Sequence, residues 1–168
     1  MKKALILPLY LLAFAAIFSA CRKEDNSKLP GLIAFPIPVF AKVAGSSQNI
    51  SAANPASFNG RFTVGLYFPT TPPPQKYDIV VIKNGNKGVV KTIQPDVTTF
   101  PTEIPLTAAQ LEGLFGAPIV AGDTYDISAD VTTSDGSKFE AFPATGNPYA
   151  SGIAAQPGSS TQIRYTAN

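Results

Sequence analysis

The sequence predicts an all-β sandwich with one short helix in a crossover between strands. Three observations point to this class. Val, Ile, Thr, Phe and Tyr recur in short runs, each run is broken by turn-forming residues, and charged residues are only 14% of the chain. Sixteen prolines and thirteen glycines supply the breaks. Short apolar runs separated by turns are typical of β-sandwiches and barrels.

The first predicted strand lies at a sheet edge and the second at a sheet centre. Residues 32–43 are apolar but contain Pro36 and Pro38, and proline cannot donate to a β-ladder. We therefore expect an extended edge strand there. In residues 58–68 every second side chain is apolar, which predicts one buried face made by Phe62, Val64, Leu66 and Phe68.

The next two strands are expected to form a hairpin. Residues 77–83 and 89–97 flank Asn84-Gly85, a pair that accepts positive φ in tight turns. Residues 98–106 follow as an extended segment interrupted by two prolines, which again predicts an edge strand.

One helix is predicted at residues 108–115. Thr107 is a good capping residue, and Gln110 lies three positions later, the spacing of a capping box. Gly116 ends the helix, and its apolar face at helical spacing is made by Leu111, Leu114 and Phe115. We expect this face to plug one end of the sandwich, and binding of a partner is the alternative.

Residues 123–131 alternate so regularly that both faces of the strand can be assigned. The inward face is predicted to hold Tyr125, Ile127, Ala129 and Val131. The outward, solvated face is predicted to hold Asp126, Ser128, Asp130 and Thr132. Residues 134–137 then predict a turn, 139–142 the start of a returning strand, 144–160 a long loop and 161–167 a closing strand.

Gly122-Asp123-Thr124-Tyr125 resembles the tyrosine corner of immunoglobulin-like and fibronectin type III domains. The resemblance extends over residues 98–142 as edge strand, crossover, alternating strand, Asp-Gly turn and strand. It implies an immunoglobulin-like or fibronectin type III-like β-sandwich over residues 31–168. It also implies that the Tyr125 hydroxyl bonds back to the upstream backbone.

Residues 1–20 have the features of a secretory signal peptide. A basic start is followed by the apolar residues 4–17 and by small residues before Cys21. About 14 apolar residues make about 21 Å of helix, less than the ~30 Å of a bilayer core. A permanent transmembrane helix is therefore disfavoured.

Phe18-Ser19-Ala20-Cys21 resembles the lipobox of bacterial lipoproteins. In that family the cysteine becomes the first mature residue and carries a diacylglyceryl thioether, usually with a further acyl chain such as palmitate. The resemblance implies lipidation of Cys21 and a flexible tether over residues 21–30. It fits a lone cysteine, which has no disulfide partner in this chain. The alternative is an ordinary signal peptide with an incidental cysteine.

Lys23-Glu24-Asp25 is similar to the charged surface-export signal of Bacteroidota lipoproteins, and a plain linker is the alternative. Together these features resemble the immunoglobulin-like surface lipoproteins of Bacteroidota that accompany starch-utilisation-type glycan uptake. The resemblance implies an outer-membrane protein, at the cell surface or on the periplasmic face. Its implied partners are the membrane, through the lipid on Cys21, and a glycan or an uptake complex.

The residue inventory argues against several functions. The chain has no histidine, so Ser-His-Asp and Cys-His catalytic sets and His/Cys zinc sites cannot form. Removal of residues 1–20 takes away Lys2 and Lys3 and leaves eleven basic residues against eleven acidic ones. Near-neutral charge does not favour nucleic-acid binding. We expect neither catalysis nor a cofactor.

Three aspartates are candidates for calcium, which prefers oxygen ligands: Asp126, Asp130 and Asp135, with Asp123 close in sequence. The alternative is a solvated strand face and a turn residue, paired weakly with lysines. Asp126 and Asp130 lie about 13 Å apart at roughly 3.3 Å per residue. That separation exceeds what glycoside hydrolysis needs between two carboxyl groups.

Tyr149 and Asn147 are the candidate ligand-binding residues. Tyr149 is the tyrosine that the pattern places in a surface loop, residues 145–152, and tryptophan is absent. Anchoring of the loop is the alternative role for Tyr149. Two functions stay open. A glycan-binding or uptake-accessory lipoprotein predicts exposed aromatics or a groove, and a structural or adhesion module predicts an exposed apolar edge near residues 32–40.

Overall fold

The computed structural model describes residues 35–152 and 156–168. They form two antiparallel sheets with one α-helix in the crossover between β5 and β6. The elements are β1 (Pro38–Lys42), β2 (Asn59–Leu66), β3 (Lys76–Lys83), β4 (Val90–Val97), β5 (Thr102–Thr107), α1 (Ala108–Phe115), β6 (Thr124–Thr132), β7 (Lys138–Phe139) and β8 (Ile163–Thr166). The predicted all-β sandwich with one short helix is confirmed at this level.

The small sheet has the order β1-β2-β5. Phe40 of β1 pairs with Val64 of β2, and Phe62 of β2 pairs with Ile104 of β5. The prediction of a central β2 between two proline-containing edge strands is confirmed. The two edges accept prolines because each has a free side where no ladder donor is needed.

The large sheet has the order β4-β3-β6, and both β7 and β8 pair with the remaining edge of β6. β3 and β4 form the predicted hairpin, with Asn84 at φ 53° and Gly85 at φ 69° in its turn. These positive angles match the primed turns that suit the twist of a hairpin.

The main core lies between the two sheets. The inward face of β6 is confirmed, since Tyr125, Ile127, Ala129 and Val131 are all at most 1% exposed. Their counterparts on β3 and on the small sheet are equally buried: Tyr77, Ile79, Val81, Phe62, Val64 and Ile104. Strand alternation therefore determines which side chains meet across the sandwich.

Helix α1 begins and ends where the sequence predicts. Thr107 Oγ1 accepts a hydrogen bond from Gln110 N at 3.2 Å, and Gly116 ends the helix in the left-handed region at φ 63°. Leu111 is fully buried in the main core, and the helix contacts the short 3₁₀ helix Pro55–Ser57. The helix thus covers an end of the sandwich, as expected.

Three details of the prediction are wrong. β1 begins at Pro38 rather than at the start of the proline-rich run, of which residues 32–34 lie outside the described chain. Phe68 does not join the buried face of β2, because β2 ends at Leu66 and the Phe68 side chain is 49% exposed. The returning strand β7 has only two residues, and residues 140–142 leave the ladder with β6.

The outward face of β6 is also not solvated as predicted. Asp126, Ser128 and Asp130 are 4%, 3% and 9% exposed. The reason is that residues 140–152 fold over this face of the sheet. Ala141 and Phe142 of that segment form a second apolar cluster with two β3 side chains that point away from the main core, Val80 and Ile82.

Within the described residues, no helix combines the length and apolar character that crossing a bilayer requires. The predicted signal peptide, residues 1–20, and tether, residues 21–30, lie outside the described residues, as does Cys21.

Candidate functional site

The covering segment, residues 140–152, is fixed at a gap in the pairing of β6. β8 pairs with residues 124–127 of β6 and β7 pairs with Val131 and Thr132. The carbonyl of Ala129 lies between these two ladders, on the edge that neither strand reaches, and it accepts a hydrogen bond from the Tyr149 hydroxyl at 2.7 Å. The Tyr149 hydroxyl thus takes the place of the backbone N–H that a neighbouring strand would otherwise donate to this carbonyl.

The ring of Tyr149 packs between the covering segment and the sheet. It lies 5.1 Å from the ring of Phe35 and contacts both apolar clusters. Burial raises the pKa of Tyr149 well above its ordinary value. The hydroxyl is therefore a neutral donor committed to the protein, and the partly exposed ring edge is what a ligand can contact.

Tyr149 and Asn147, the two candidates from the sequence, line one shallow cavity of about 350 Å³. Asn147 is exposed at its rim. The other lining residues are Lys138, Phe139, Glu140 and Pro143. The cavity lies between β7 and the covering segment, so its shape depends on the Tyr149–Ala129 hydrogen bond.

Phe139 is the cavity residue that the sequence did not single out. Its side chain is 38% exposed, and the ring of Phe35 supports it edge-on at 5.0 Å. The sequence pattern assigned Phe139 to a longer returning strand. A signal was present, since the residues on either side of this aromatic, Lys138 and Glu140, are charged, which is unusual for a buried strand.

The charged residues of the cavity differ in their pairing. Lys138 Nζ lies 3.5 Å from Asp130 Oδ2, and the Asp130 side chain is 12% exposed. Asp130 Oδ1 accepts a hydrogen bond from Ala141 N at 2.9 Å. Glu140 is exposed and forms no ion pair with any residue of the described chain.

The three calcium candidates do not converge. Asp126 receives two hydrogen bonds from Arg164, at 2.6 and 2.9 Å, and Asp130 is held as described above. Asp135 accepts hydrogen bonds from Thr133 Oγ1 and Ser137 N inside its own turn, and these hydrogen bonds lower its pKa. Residues 35–152 and 156–168 contain no group of three acidic side chains placed to hold a metal ion.

Asp123 organises the corner at which β6 begins. Its carboxylate forms an ion pair with Lys83 Nζ at 2.7 Å and accepts hydrogen bonds from Val120 N and Asn84 Nδ2, at 2.9 and 3.0 Å. Among the described residues, Asp123 rather than the Tyr125 hydroxyl bonds back to the upstream backbone. The expected tyrosine-corner bond is therefore wrong: the Asp123 carboxylate makes the upstream contact, as an acceptor from Val120 N, and the Tyr125 ring instead lies beneath Lys83, with the Lys83 Nζ atom 5.7 Å from the ring centroid.

A second, apolar groove of about 320 Å³ lies against the small sheet. It runs between β1, β2 and the segment before β5, and its lining includes Val39, Ala41, Gly65, Pro69 and Pro101. The adjacent edge of β1 is partly covered, since Phe40 N donates to Ser160 O at 2.7 Å.

The chain matches no family model, no curated protein and no solved structure.

Proposed function

We propose that the protein is a non-catalytic lipoprotein, anchored to the outer membrane at the cell surface, that binds a glycan in the cavity beside β7. One observation carries the proposal: an exposed aromatic ring, Phe139, and three polar side chains, Lys138, Glu140 and Asn147, converge on a single cavity.

The chemistry of the cavity suits a saccharide. A sugar ring has an apolar face that packs on an aromatic ring, and Phe139 offers such a surface. Hydroxyl groups at the ring's edge need both donors and acceptors, which an amide, a carboxylate and an ammonium supply together. A volume of about 350 Å³ lies at the small end of the range for small-molecule sites. We expect one or two sugar units to be held.

We further propose an immunoglobulin-like or fibronectin type III-like sandwich. In the lettering of such modules, β1, β2 and β5 correspond to strands A, B and E, β3 and β4 to C and C′, and β6 to F, while β7 and β8 divide strand G. The small sheet then has the order A-B-E and the large sheet the order C′-C-F-G. This order supports the proposal. The helix α1 in the E–F crossover and the covering segment before the last strand are additions to such a module.

The anchor in this proposal is the lipid on Cys21. Each buried CH₂ contributes about 0.8 kcal/mol, so two or three acyl chains hold a domain stably at a bilayer. Export to the outer face follows from Lys23-Glu24-Asp25 in this proposal, and retention on the periplasmic face is the alternative. The lack of histidine and the pairing of Asp123, Asp126 and Asp130 with cations support a non-catalytic role.

A glycan array probed with the full-length, detergent-solubilised lipoprotein tests the binding site. We expect the wild type to retain a glycan, and Phe139→Ala and Asn147→Ala to weaken its retention at least about tenfold, which is 1.4 kcal/mol. Phe68→Ala is the matched control, because Phe68 is another exposed phenylalanine, 49% exposed against 38% for Phe139, and it does not line the cavity. Equal retention by Phe139→Ala and wild type, with both folded, would refute the site.

The anchor is tested by Cys21→Ser and by intact-mass spectrometry. The variant should move from the membrane to the soluble fraction, and the wild-type mass should include acyl chains on a polypeptide that begins at Cys21. A variant that stays with the membrane contradicts lipid anchoring.

A structural or adhesion module is the second candidate, and the groove against the small sheet favours it. A photo-crosslinker at Ala41, inside the groove, should then capture a membrane-protein partner in intact cells, whereas one at Phe139 should not. Capture at neither position contradicts this alternative.

A further inference from the structure

We infer that the cavity beside β7 prefers amino sugars to neutral sugars and binds uronic acids and sulfated sugars more weakly than neutral ones. This inference rests on the proposed glycan binding and names the class of glycan. Two charged residues line the cavity, Lys138 and Glu140. The inference follows because Lys138 forms an ion pair with Asp130, whereas Glu140 forms none within the described chain.

Lys138 is neutralised by a carboxylate that cannot move away. The Asp130 side chain is 12% exposed, and its Oδ1 atom is held by Ala141 N at 2.9 Å while Oδ2 lies 3.5 Å from Lys138 Nζ. If Lys138 turned to an acidic ligand, Asp130 would remain nearly buried without its counter-charge. That is unfavourable, because an uncompensated buried charge destabilises a protein strongly.

Glu140 has no such constraint. Its side chain is exposed, and no lysine or arginine of the described chain lies within ion-pair distance of it. The cavity is lined by one carboxylate, Glu140, and one ammonium, Lys138, and a second carboxylate, Asp130, forms an ion pair with Lys138. The three groups together carry a net charge of −1. A ligand in the cavity meets a net negative charge.

This charge acts on sugars of equal shape in opposite directions. A protonated amine on the sugar is attracted to Glu140, and a carboxylate or sulfate is repelled by it. The apolar contact with Phe139 is the same for all of them. Since the cavity is open to water, we expect the preference to be about five- to tenfold rather than absolute, and to shrink in high salt, where the Debye length falls to about 3 Å at 1 M.

The test compares three oligosaccharide probes of one length at pH 6: a glucosamine oligomer, its N-acetylated neutral counterpart and a galacturonate oligomer. Binding to full-length protein in detergent is measured by calorimetry. We expect the glucosamine oligomer to bind about five- to tenfold more tightly than the acetylated one, and the galacturonate oligomer to bind about five- to tenfold more weakly than the acetylated one. Glu140→Gln should remove the preference without loss of thermal stability.

Glu103→Gln is the matched control. It removes the same charge from an exposed position on the small sheet, where Glu103 contacts Arg61 at 3.0 Å, and it should leave the preference intact. Equal affinity of the wild type for the amino and neutral probes, or a preference that survives Glu140→Gln, overturns the inference and leaves glycan binding standing. If the protein binds none of these probes and no glycan on a full array, both the proposed function and this inference are wrong.

Discussion

The Tyr149 hydroxyl donates a 2.7 Å hydrogen bond to the Ala129 carbonyl, at the one stretch of the β6 edge that lies between its ladders with β7 and β8. The hydrogen bond joins the first residue of the short 3₁₀ helix Tyr149–Gly152 to an interior strand of the large sheet. It holds residues 140–152 over the outer face of β6 and so shapes the proposed binding cavity.

Tyr149→Phe tests this relationship. The substitution keeps the ring but leaves the Ala129 carbonyl without its donor, which costs about 1–3 kcal/mol for a buried polar group. We expect a lower midpoint in urea unfolding, and weaker glycan binding because the cavity loses its fixed wall.

Tyr67→Phe is the control for that prediction. The Tyr67 hydroxyl also donates to a carbonyl, that of Pro157 at 2.6 Å, but at an exposed position where water can replace it. The loss there should be below about 1 kcal/mol. A larger effect at Tyr67 than at Tyr149 would contradict the importance of the gap in β6.

Asp123→Asn tests the ion pair at the start of β6. Burial acts to raise the pKa of Asp123, but hydrogen bonds from Lys83, Val120 and Asn84 outweigh it and hold the pKa below its ordinary value. A carboxyl with a lowered folded-state pKa contributes stability that is complete above its unfolded pKa of about 3.9 and is lost as pH falls through the folded value. At pH 7 the variant should lose about 3 kcal/mol, because Lys83 keeps its charge in a partly buried position.

The pH dependence distinguishes this ion pair from simple packing. The stability difference between wild type and Asp123→Asn, measured by urea unfolding from pH 7 to pH 2.5, should narrow below about pH 4 as the wild type loses its carboxylate charge. A difference that stays constant over this range would show that the Asp123 charge contributes nothing.

Two glycines should respond to alanine in opposite directions. A Cβ on buried Gly60 would lie 2.5 Å from the Phe58 ring, which is itself buried and packed edge-on against Tyr165 at 5.2 Å. Gly60→Ala should therefore destabilise the protein by about 1–3 kcal/mol through overpacking.

Gly113, in the middle of α1, has open space where a Cβ would lie. Gly113→Ala should stabilise the protein by about 0.5–1 kcal/mol, because alanine loses less backbone entropy in a helix. Thermal unfolding of both variants provides the measurement. A Gly60→Ala variant as stable as the wild type would contradict the overpacking account of Gly60, and a destabilised Gly113→Ala variant would contradict the account of Gly113.

Local chemistry explains which parts of the fold were predictable. The alternation of Tyr125, Ile127 and Ala129 identified the buried face of β6, and Thr107 with Gly116 marked both ends of α1. Each of these features depends on neighbours within about four residues. The prediction that Phe68 joins the buried face of β2 was wrong. The end of β2 depends on how far its partner β1 extends, and that is not a local property of the sequence.

The site was predictable only in part. Tyr149 and Asn147 stood out as an aromatic and an amide in a polar loop, and the structure places both at one cavity. Phe139 did not stand out, since a strand residue lines a cavity only when the chain beyond it leaves the sheet. Nor did the sequence show that Lys138 forms an ion pair with Asp130 while Glu140 forms none within the described chain.

Side-chain periodicity and composition were enough to predict the order of the strands, most of their buried faces and the helix, and to exclude histidine-based chemistry. They could not show that the second face of β6 is covered, which cation each aspartate contacts, or where the cavity lies. Hydrogen bonds such as Tyr149–Ala129 and ion pairs such as Lys138–Asp130 join residues far apart along the chain or on separate strands, so their geometry exists only once the sheets have assembled.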